Sequence, residues 1–239
     1  MSLNIRSLNL HYCQLKETVQ NFSTDIIAMS EIWKPHTPFV NIPNYHPLIA
    51  KTRPTNRTGG GVGLYINEKL TYEDMEEINT LQLKKTEIIG VKIKPKNLAN
   101  LIVIAAYNPP NSKLKETLED MEMILQALNN QPAVLTGDFN INVAADNALS
   151  KKYIDKLSEY FMTQTVKTNT RITAKSSTTI DHVFSNLASI KTIVTHMAIS
   201  DHQVLISLLG HKPTESGKTN PTTNRPQINL EKRKKPLTT

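Results

Sequence analysis

Carboxylates, amides and a histidine recur at the ends of apolar runs in this 239-residue chain. Glu31 follows IIAMS, Asp138 and Asn140 follow AVLTG, Asp181 sits within TTIDHVF, Asp201 and His202 follow MAIS, and Asn4 lies in the first extended segment, LNIRSLN. Such groups gather where strands end, because a sheet holds the backbone rigid while the side chains reach an open edge. Taken singly, each has a plain explanation: a surface glutamate, turn-forming Asp and Asn after Gly, an Asp-His pair in a loop. The case rests on the set, whose separated segments could converge on one edge. Asp181 is the hardest to explain away, since a carboxylate between Ile180 and Val183-Phe184 must be paired or its ionisation is penalised. His202 is its natural partner.

Phosphodiester hydrolysis would use this set. It needs a hard cation to neutralise developing charge, a base or orienting group for the attacking water, and a donor for the leaving oxygen. Oxygen ligands such as Glu31 and Asn4 suit Mg²⁺, whereas zinc prefers cysteine and histidine. Asp138, with Asn140 to hold substrate or water, would activate the nucleophile. His202, oriented and kept basic by Asp181, would contact the scissile phosphate or assist proton transfer.

The elements that must position these residues can be read from periodicity. Apolar, β-branched runs at 26–29, 62–66, 88–93, 101–107, 133–136, 179–184, 190–195 and 204–209 are strand candidates. Between Lys113 and Asn129, Leu114, Leu118, Met121, Leu125 and Leu128 alternate spacings of four and three, so an amphipathic helix is expected there, with Ser112 as its N-cap. Weaker helical patterns cover Leu15, Val19 and Phe22, then Ile154, Leu157 and Phe161. Most strands lie too close in sequence for a helix between every pair, so a mixed sheet sandwich with helices on its outer faces is favoured over a doubly wound fold. Gly59, Gly60, Gly61 and Gly63 precede a strand and no Gly-Lys-Ser/Thr, so they are read as a turn that permits close backbone packing, not a phosphate loop. Just upstream, Lys51, Arg53 and Arg57 make a basic loop, either solvated or able to grip DNA phosphates.

Net charge is +7, which points to an anionic partner. The distribution is uneven. Residues 212–239 hold seven basic and two acidic side chains and almost no large apolar ones, which leaves +2 for residues 1–211. Residues 1–211 are read as one domain and 212–239 as a basic, disordered tail or linker. The run Glu231-Lys-Arg-Lys-Lys235 is a nuclear address, a DNA tether or a solvated linker. No stretch approaches the run of about 20 apolar residues that a membrane-spanning helix requires, so no membrane partner is expected. Cys13, the one cysteine, cannot form an internal disulfide, and the start MSLNIRSLNL lacks a secretory signal. An intracellular, reducing setting, cytosolic or nuclear, is expected.

The series LNIRSLN (3–9), SEIW (30–33), AYNPPN (106–111), GDFNIN (137–142), TTIDHVFSN (178–186) and SDH (200–202) resembles the endonuclease/exonuclease/phosphatase superfamily, in that family's order. GGGVGLYI, YNPPN and IDHVFSN further resemble the apurinic-like endonuclease domain of non-LTR (LINE-type) retrotransposons. The resemblance implies an α/β fold, a four-layered sandwich of two packed mixed β-sheets flanked by helices, with the site at one edge. By motif, Asn4 and Glu31 would serve Mg²⁺, for which Mn²⁺ could substitute. Tyr107 and Asn111 would contact the scissile phosphate, although YNPPN is one residue longer than the common Y-x-P-N. Asp138 and Asn140 would position and activate water, Asp181 and His202 would form an orienting dyad, and Asp201 would be a further acidic group near metal or leaving oxygen. Thr170 or Ser200 would hold backbone phosphates. Arg6 stands where many relatives carry Asn or Asp, and would be a phosphate contact instead. The implied function is to nick double-stranded target DNA in the nucleus and leave a 3′-hydroxyl that primes a reverse transcriptase continuous with this domain in a parent polyprotein. The alternatives are an abasic-site repair endonuclease of the same superfamily, a more distant phosphatase or lipid phosphodiesterase, and a catalytically idle DNA-targeting module.

Overall fold

The computed structural model describes residues 1–35, 39–53, 59–96 and 99–210; the expected tail and Arg57 lie outside the described residues. In chain order the elements are β1 (Ser2–Asn4), α1 (Leu8–Phe22), β2 (Ile26–Ser30), β3 (Ile49–Lys51), β4 (Val62–Ile66), β5 (Thr71–Asp74), α2 (Glu76–Asn79), β6 (Glu87–Lys94), β7 (Leu101–Tyr107), α3 (Leu114–Leu128), β8 (Ala133–Asp138), α4 (Ala148–Ser158), β9 (Thr163–Gln164), β10 (Arg171–Ile172), β11 (Ser177–Thr178), β12 (Asp181–Ser185), β13 (Ile190–Ala198) and β14 (Gln203–Leu209). Two six-stranded sheets result, ordered β13-β14-β1-β2-β4-β3 and β5-β6-β7-β8-β12-β9, with β10 and β11 as a separate hairpin. Each is mixed: β1 runs parallel to β2 and β7 parallel to β8, while the other pairs are antiparallel.

The layering follows from which strands are apolar on both faces. In β7, Ile102, Ile104 and Ala106 pack outward with Leu118, Met121, Ile124 and Leu125 of α3. Val103, Ala105 and Tyr107, the alternate positions, turn inward to Ala28, Val62, Leu64 and Ile66 of the other sheet. A strand buried on both sides reads as an unbroken apolar run, which is why LIVIAAY was legible. On the far face, Leu8, Leu15 and Val19 of α1 cover Leu3, Ile27 and Met29. The four layers are therefore α1, sheet, sheet and the α2–α4 layer, the expected sandwich.

Some boundaries differ from expectation. The N-cap of α3 is Lys113 and not Ser112; the Ser112 amide closes a turn onto Pro109 O at 3.0 Å, and the Glu116 carboxylate accepts from the Lys113 amide at 3.3 Å. Helix α4 ends before Phe161, which sits exposed at positive φ. The two-residue strands β9, β10 and β11 carry no readable period. Asp120, fully buried on α3, accepts the amides of Lys84, Lys85 and Thr86 at 2.7–2.9 Å and so fixes the entry into β6.

His182 packs the helical layer onto β12. Its ring stacks on Phe139 with centroids 5.2 Å apart and lies beside Tyr153 and Phe184, and its Nε2 donates to Thr179 O at 3.2 Å. Complete burial holds its pKa down, to about 4. Above the unfolded value near 6.5 both states are neutral; between there and 4 only the unfolded chain gains the proton. Stability should therefore drop by roughly 3 kcal/mol as pH falls through that window and level off below it. Denaturant titrations at pH 7, 5.5 and 4 should show a steeper loss for the wild type than for His182→Gln, and parallel curves would contradict this account.

Candidate active site

Register assembles the site. Tyr107 pairs with Asp138 across β7 and β8, and Asp138 pairs with Asp181 across β8 and β12, so three side chains stand level on neighbouring strands. From the other sheet, Asn4 ends β1 opposite Ser30, the last residue of β2, and Glu31 follows. Asp201 and His202 come from the turn between β13 and β14.

His202 Nδ1 donates to Asp181, at 2.8 Å to Oδ2 and 3.0 Å to Oδ1. That bond assigns the tautomer and leaves Nε2 facing outward, 4.0 Å from Asp138 Oδ2 and 3.9 Å from Asp201 Oδ1. Asp181 is steadied from behind by the Thr170 hydroxyl, which donates to its Oδ2 at 2.7 Å and accepts the amides of Ile180 and Asp181. Asp138 Oδ1 accepts the Asn140 amide at 2.9 Å. Its Oδ2 accepts Asn4 Nδ2 at 2.8 Å, and the same nitrogen donates to Glu31 Oε1 at 2.9 Å. Asn4 Oδ1 accepts the Arg6 amide at 3.1 Å, which sets the orientation of the side-chain amide.

Burial, and then the neighbouring Asp181 charge, push the Asp138 carboxyl up to about 7 against the opposing pull of His202 and Asn4. Burial works to lower His202, but the hydrogen bond and charge of Asp181 outweigh it and hold the imidazole above its ordinary value. A carboxyl raised by burial thus stands beside an imidazole whose charged form a neighbouring carboxylate favours, the pairing that acid–base chemistry uses. Asp201 goes the other way. Burial would raise it, but hydrogen bonds from Arg171 and Arg6 hold it down at about 2. It is ionised at neutral pH, so as an acidic group near metal or leaving oxygen it would act as a carboxylate.

The backbone around the site is strained. Arg6, Ser7, Glu31, Trp33 and Asn140 all have positive φ, 44° to 87°, a conformation that non-glycine residues hold only when their surroundings impose it. Part of the imposition comes from the glycine run: Trp33 N donates to Gly60 O at 2.9 Å and Ile32 N to Gly61 O at 3.3 Å. Gly61 has φ +83°, and a Cβ there would meet Ile32 Cγ1 at 3.0 Å and Trp33 O at 3.1 Å. The expected glycine turn exists, and its effect is to fix the Glu31 backbone.

Residues 1–202 match the Endonuclease/Exonuclease/phosphatase family. The chain belongs to this family. Its members are hydrolytic nucleases and phosphatases that depend on a divalent metal. Solved structures with the same fold include the endonuclease domain of TRAS1, a telomere-specific non-LTR retrotransposon, at TM-score 0.72 and 14% identity over 87% of this chain and 95% of that one. The APE2 catalytic domain of Xenopus laevis superposes at TM-score 0.63 with 15% identity over 89% and 93% of the two chains. The 3′ phosphatase NExo from Neisseria, bound to a product DNA hairpin, gives 0.61 with 13% identity over 88% and 98%. No curated protein sequence matches significantly.

The family's metal can be tested against the residues present. Glu31, partly exposed at the mouth, offers carboxylate oxygens with no arginine or lysine paired to them among the described residues, and its Oε2 has only a long 3.4 Å contact from Trp33 Nε1. Asp138, Asp181 and His202 bring ligand atoms within 4.8 Å of one another. The donors are almost all oxygen, so the set fits a hard cation. Asn4, expected as a metal ligand, turns its donating nitrogen to the site, so its part is to hold Glu31 and Asp138 in place.

The remaining expected positions sort by geometry. Tyr107 stands level with Asp138, and burial raises its phenol far above the ordinary value, so it stays protonated. Asn111 is exposed in the turn before α3; the residue that YNPPN contributes to the interior is Asn108. Asn108 Nδ2 donates to Phe139 O and its carbonyl accepts Asn140 Nδ2, both at 2.9 Å, which ties β7 to the GDFN loop. Thr170 is fully buried with its hydroxyl spent on Asp181, so it orients the dyad and does not hold a DNA phosphate. Ser200 donates to Asn4 O at 2.8 Å and accepts the His202 amide, and is likewise turned inward. Lys51 donates to Asn79 O at 3.0 Å. Arg53 is bound to Glu87 at 2.5 Å and lies 5.8 Å from the Tyr107 ring centroid, so its charge is engaged within the protein. Glu87, which the sequence did not single out, also accepts the Gly61 amide and so links the glycine turn to the strand facing Tyr107.

Proposed function

We propose that this chain is a divalent-metal-dependent endonuclease that nicks one strand of double-stranded DNA and leaves the 3′-hydroxyl from which a non-LTR retrotransposon primes reverse transcription. The observation that carries the reading is the His202–Asp181 dyad whose free Nε2 faces Asp138, a carboxyl brought near neutrality. Asp138 takes a proton from the attacking water, which Asn140 helps to hold; as the water oxygen bonds to phosphorus the P–O3′ bond breaks, and solvent water protonates the departing 3′-oxygen. His202, as imidazolium backed by Asp181, contacts a non-bridging oxygen of the scissile phosphate. Tyr107 donates its phenolic hydrogen to the same phosphate. Glu31, set by Asn4, would hold the cation, and bound Mg²⁺, or Mn²⁺ in its place, would supply charge neutralisation on that phosphate.

The fold shared with the TRAS1 endonuclease domain supports the retrotransposon reading. The natural partners would then be target DNA and a reverse transcriptase in the same polyprotein, and the setting the nucleus. Supercoiled plasmid incubated with Mg²⁺ should give relaxed circles whose nick a polymerase can extend. No relaxed product, or equal nicking by Asp138→Ala and His202→Ala, would overturn the reading. Selective cutting of abasic over intact duplex would shift it to repair, and duplex binding without cleavage would leave a targeting module.

A further inference from the structure

Asp201 is bracketed by two arginines that reach it from different parts of the chain. Arg6 Nη1, from the segment after β1, donates to its Oδ1 at 2.7 Å, and Arg171 Nε, on β10, donates to its Oδ2 at 2.7 Å. The bracket is built into the backbone. Gln203 N donates to Thr170 O at 2.7 Å, Arg171 forms a bridge with His202, and the Arg6 amide is pinned on Asn4.

Stability alone is a poor reason for this arrangement. Partly exposed ion pairs contribute little, and the side chains are 47% exposed in Arg6 and 36% in Arg171. Each guanidinium carries five N–H donors. Among the described residues, neither makes any hydrogen bond other than the one to Asp201. The bracket therefore presents a net positive edge of oriented donors, and Asp201 Oδ1 lies 3.9 Å from the catalytic His202 Nε2. It stands beside Glu31, Asp138 and Asp181, three carboxylates that would repel a polyanion, in a domain whose residues 1–211 carry only +2.

Resting on the nuclease reading above, we infer that Arg6 and Arg171, aligned by the carboxylate between them, form the receptor for backbone phosphates of the strand being cut. Asp201 is a positioning residue. It keeps both forks at fixed angles, so that the remaining donors meet phosphate oxygens with little ordering cost when DNA arrives.

The test is equilibrium binding of a short intact duplex in EDTA as KCl is raised, joined to nicking kinetics with Mg²⁺. Arg6→Gln and Arg171→Gln should each flatten the slope of log affinity against log salt by about 0.9, the loss of one phosphate contact. Each should raise KM by about tenfold while kcat stays within about threefold. Arg171→Lys should restore the slope but not KM, because a point charge lacks the fork. Asp201→Asn keeps both cations and should keep the slope while raising KM. If the wild type nicks DNA but the glutamine variants keep its slope and lose only kcat, the bracket merely secures the His202 turn and the inference fails with the nuclease reading intact. A wild type that neither binds duplex nor nicks it overturns both.

Discussion

Asp181→Asn is expected to lower nicking by about 10³–10⁴-fold with the fold unchanged, the scale seen where an amide replaces the carboxylate that orients a catalytic histidine. The isosteric amide still fits behind Thr170, whose hydroxyl sits 2.7 Å from Oδ2. Toward His202 it presents either an amide NH₂, which donates to Nδ1 and so holds the ring in the opposite tautomer, or a neutral oxygen that supports an imidazolium less well than a carboxylate does. Either way Nε2 no longer carries its proton toward the phosphate as a cation. Single-turnover nicking against pH, with thermal melting as a control, checks this. A drop of less than tenfold in a stable protein would mean that the dyad is structural.

Gly137→Ala should be the most damaging small substitution in the domain. Gly137 has φ +150°, pairs with Ala106 in the parallel β7–β8 ladder, and would place a Cβ 1.8 Å from Ala106 O and 2.7 Å from Ala106 C. Both obstacles are backbone, so no rotamer relieves them. The strands must part, and the residues next in register are Tyr107 and Asp138. A loss of about 4 kcal/mol or more is expected, the range reserved for strained or overpacked sites. Gly59→Ala is the comparison: its φ is +95° but nothing lies within 4 Å of the added Cβ, so only the conformational cost of about 1 kcal/mol applies. Equal denaturation midpoints for the two variants would refute the steric account.

What was legible in the sequence was whatever burial forces into a pattern. LIVIAAY and IIAMS read as strands because both faces are covered, and Asp181 announced its partner because an unpaired carboxylate has no place among Ile180, Val183 and Phe184. The α1 helix was visible only around Leu15, Val19 and Phe22, since between buried Leu8 and buried Leu15 no side chain is buried and the apolar period breaks. Residues that act on backbone groups left no trace. Asp120, Asn108 and Glu87 satisfy amides and carbonyls supplied by other elements, and nothing in their own neighbourhoods records it. Thr170 and Ser200 were misread for a related reason: a hydroxyl near a catalytic motif suits a phosphate as well as a buried carboxylate or carbonyl, and the fold decides. Arg171 lies in the polar stretch RITAKSST, where a two-residue hairpin strand cannot be told from a loop.

The order of strands in the first sheet has a temporal meaning. β14 lies against β1, with Ser2 opposite Leu205, so the earliest and latest of the described strands are neighbours. As the chain leaves the ribosome, Glu31, Asp138 and Asp181 are all made before His202. All six strands of the second sheet are synthesised before residue 202, and the histidine that completes the dyad arrives with β14, the strand that joins β1 to β13 in the first sheet.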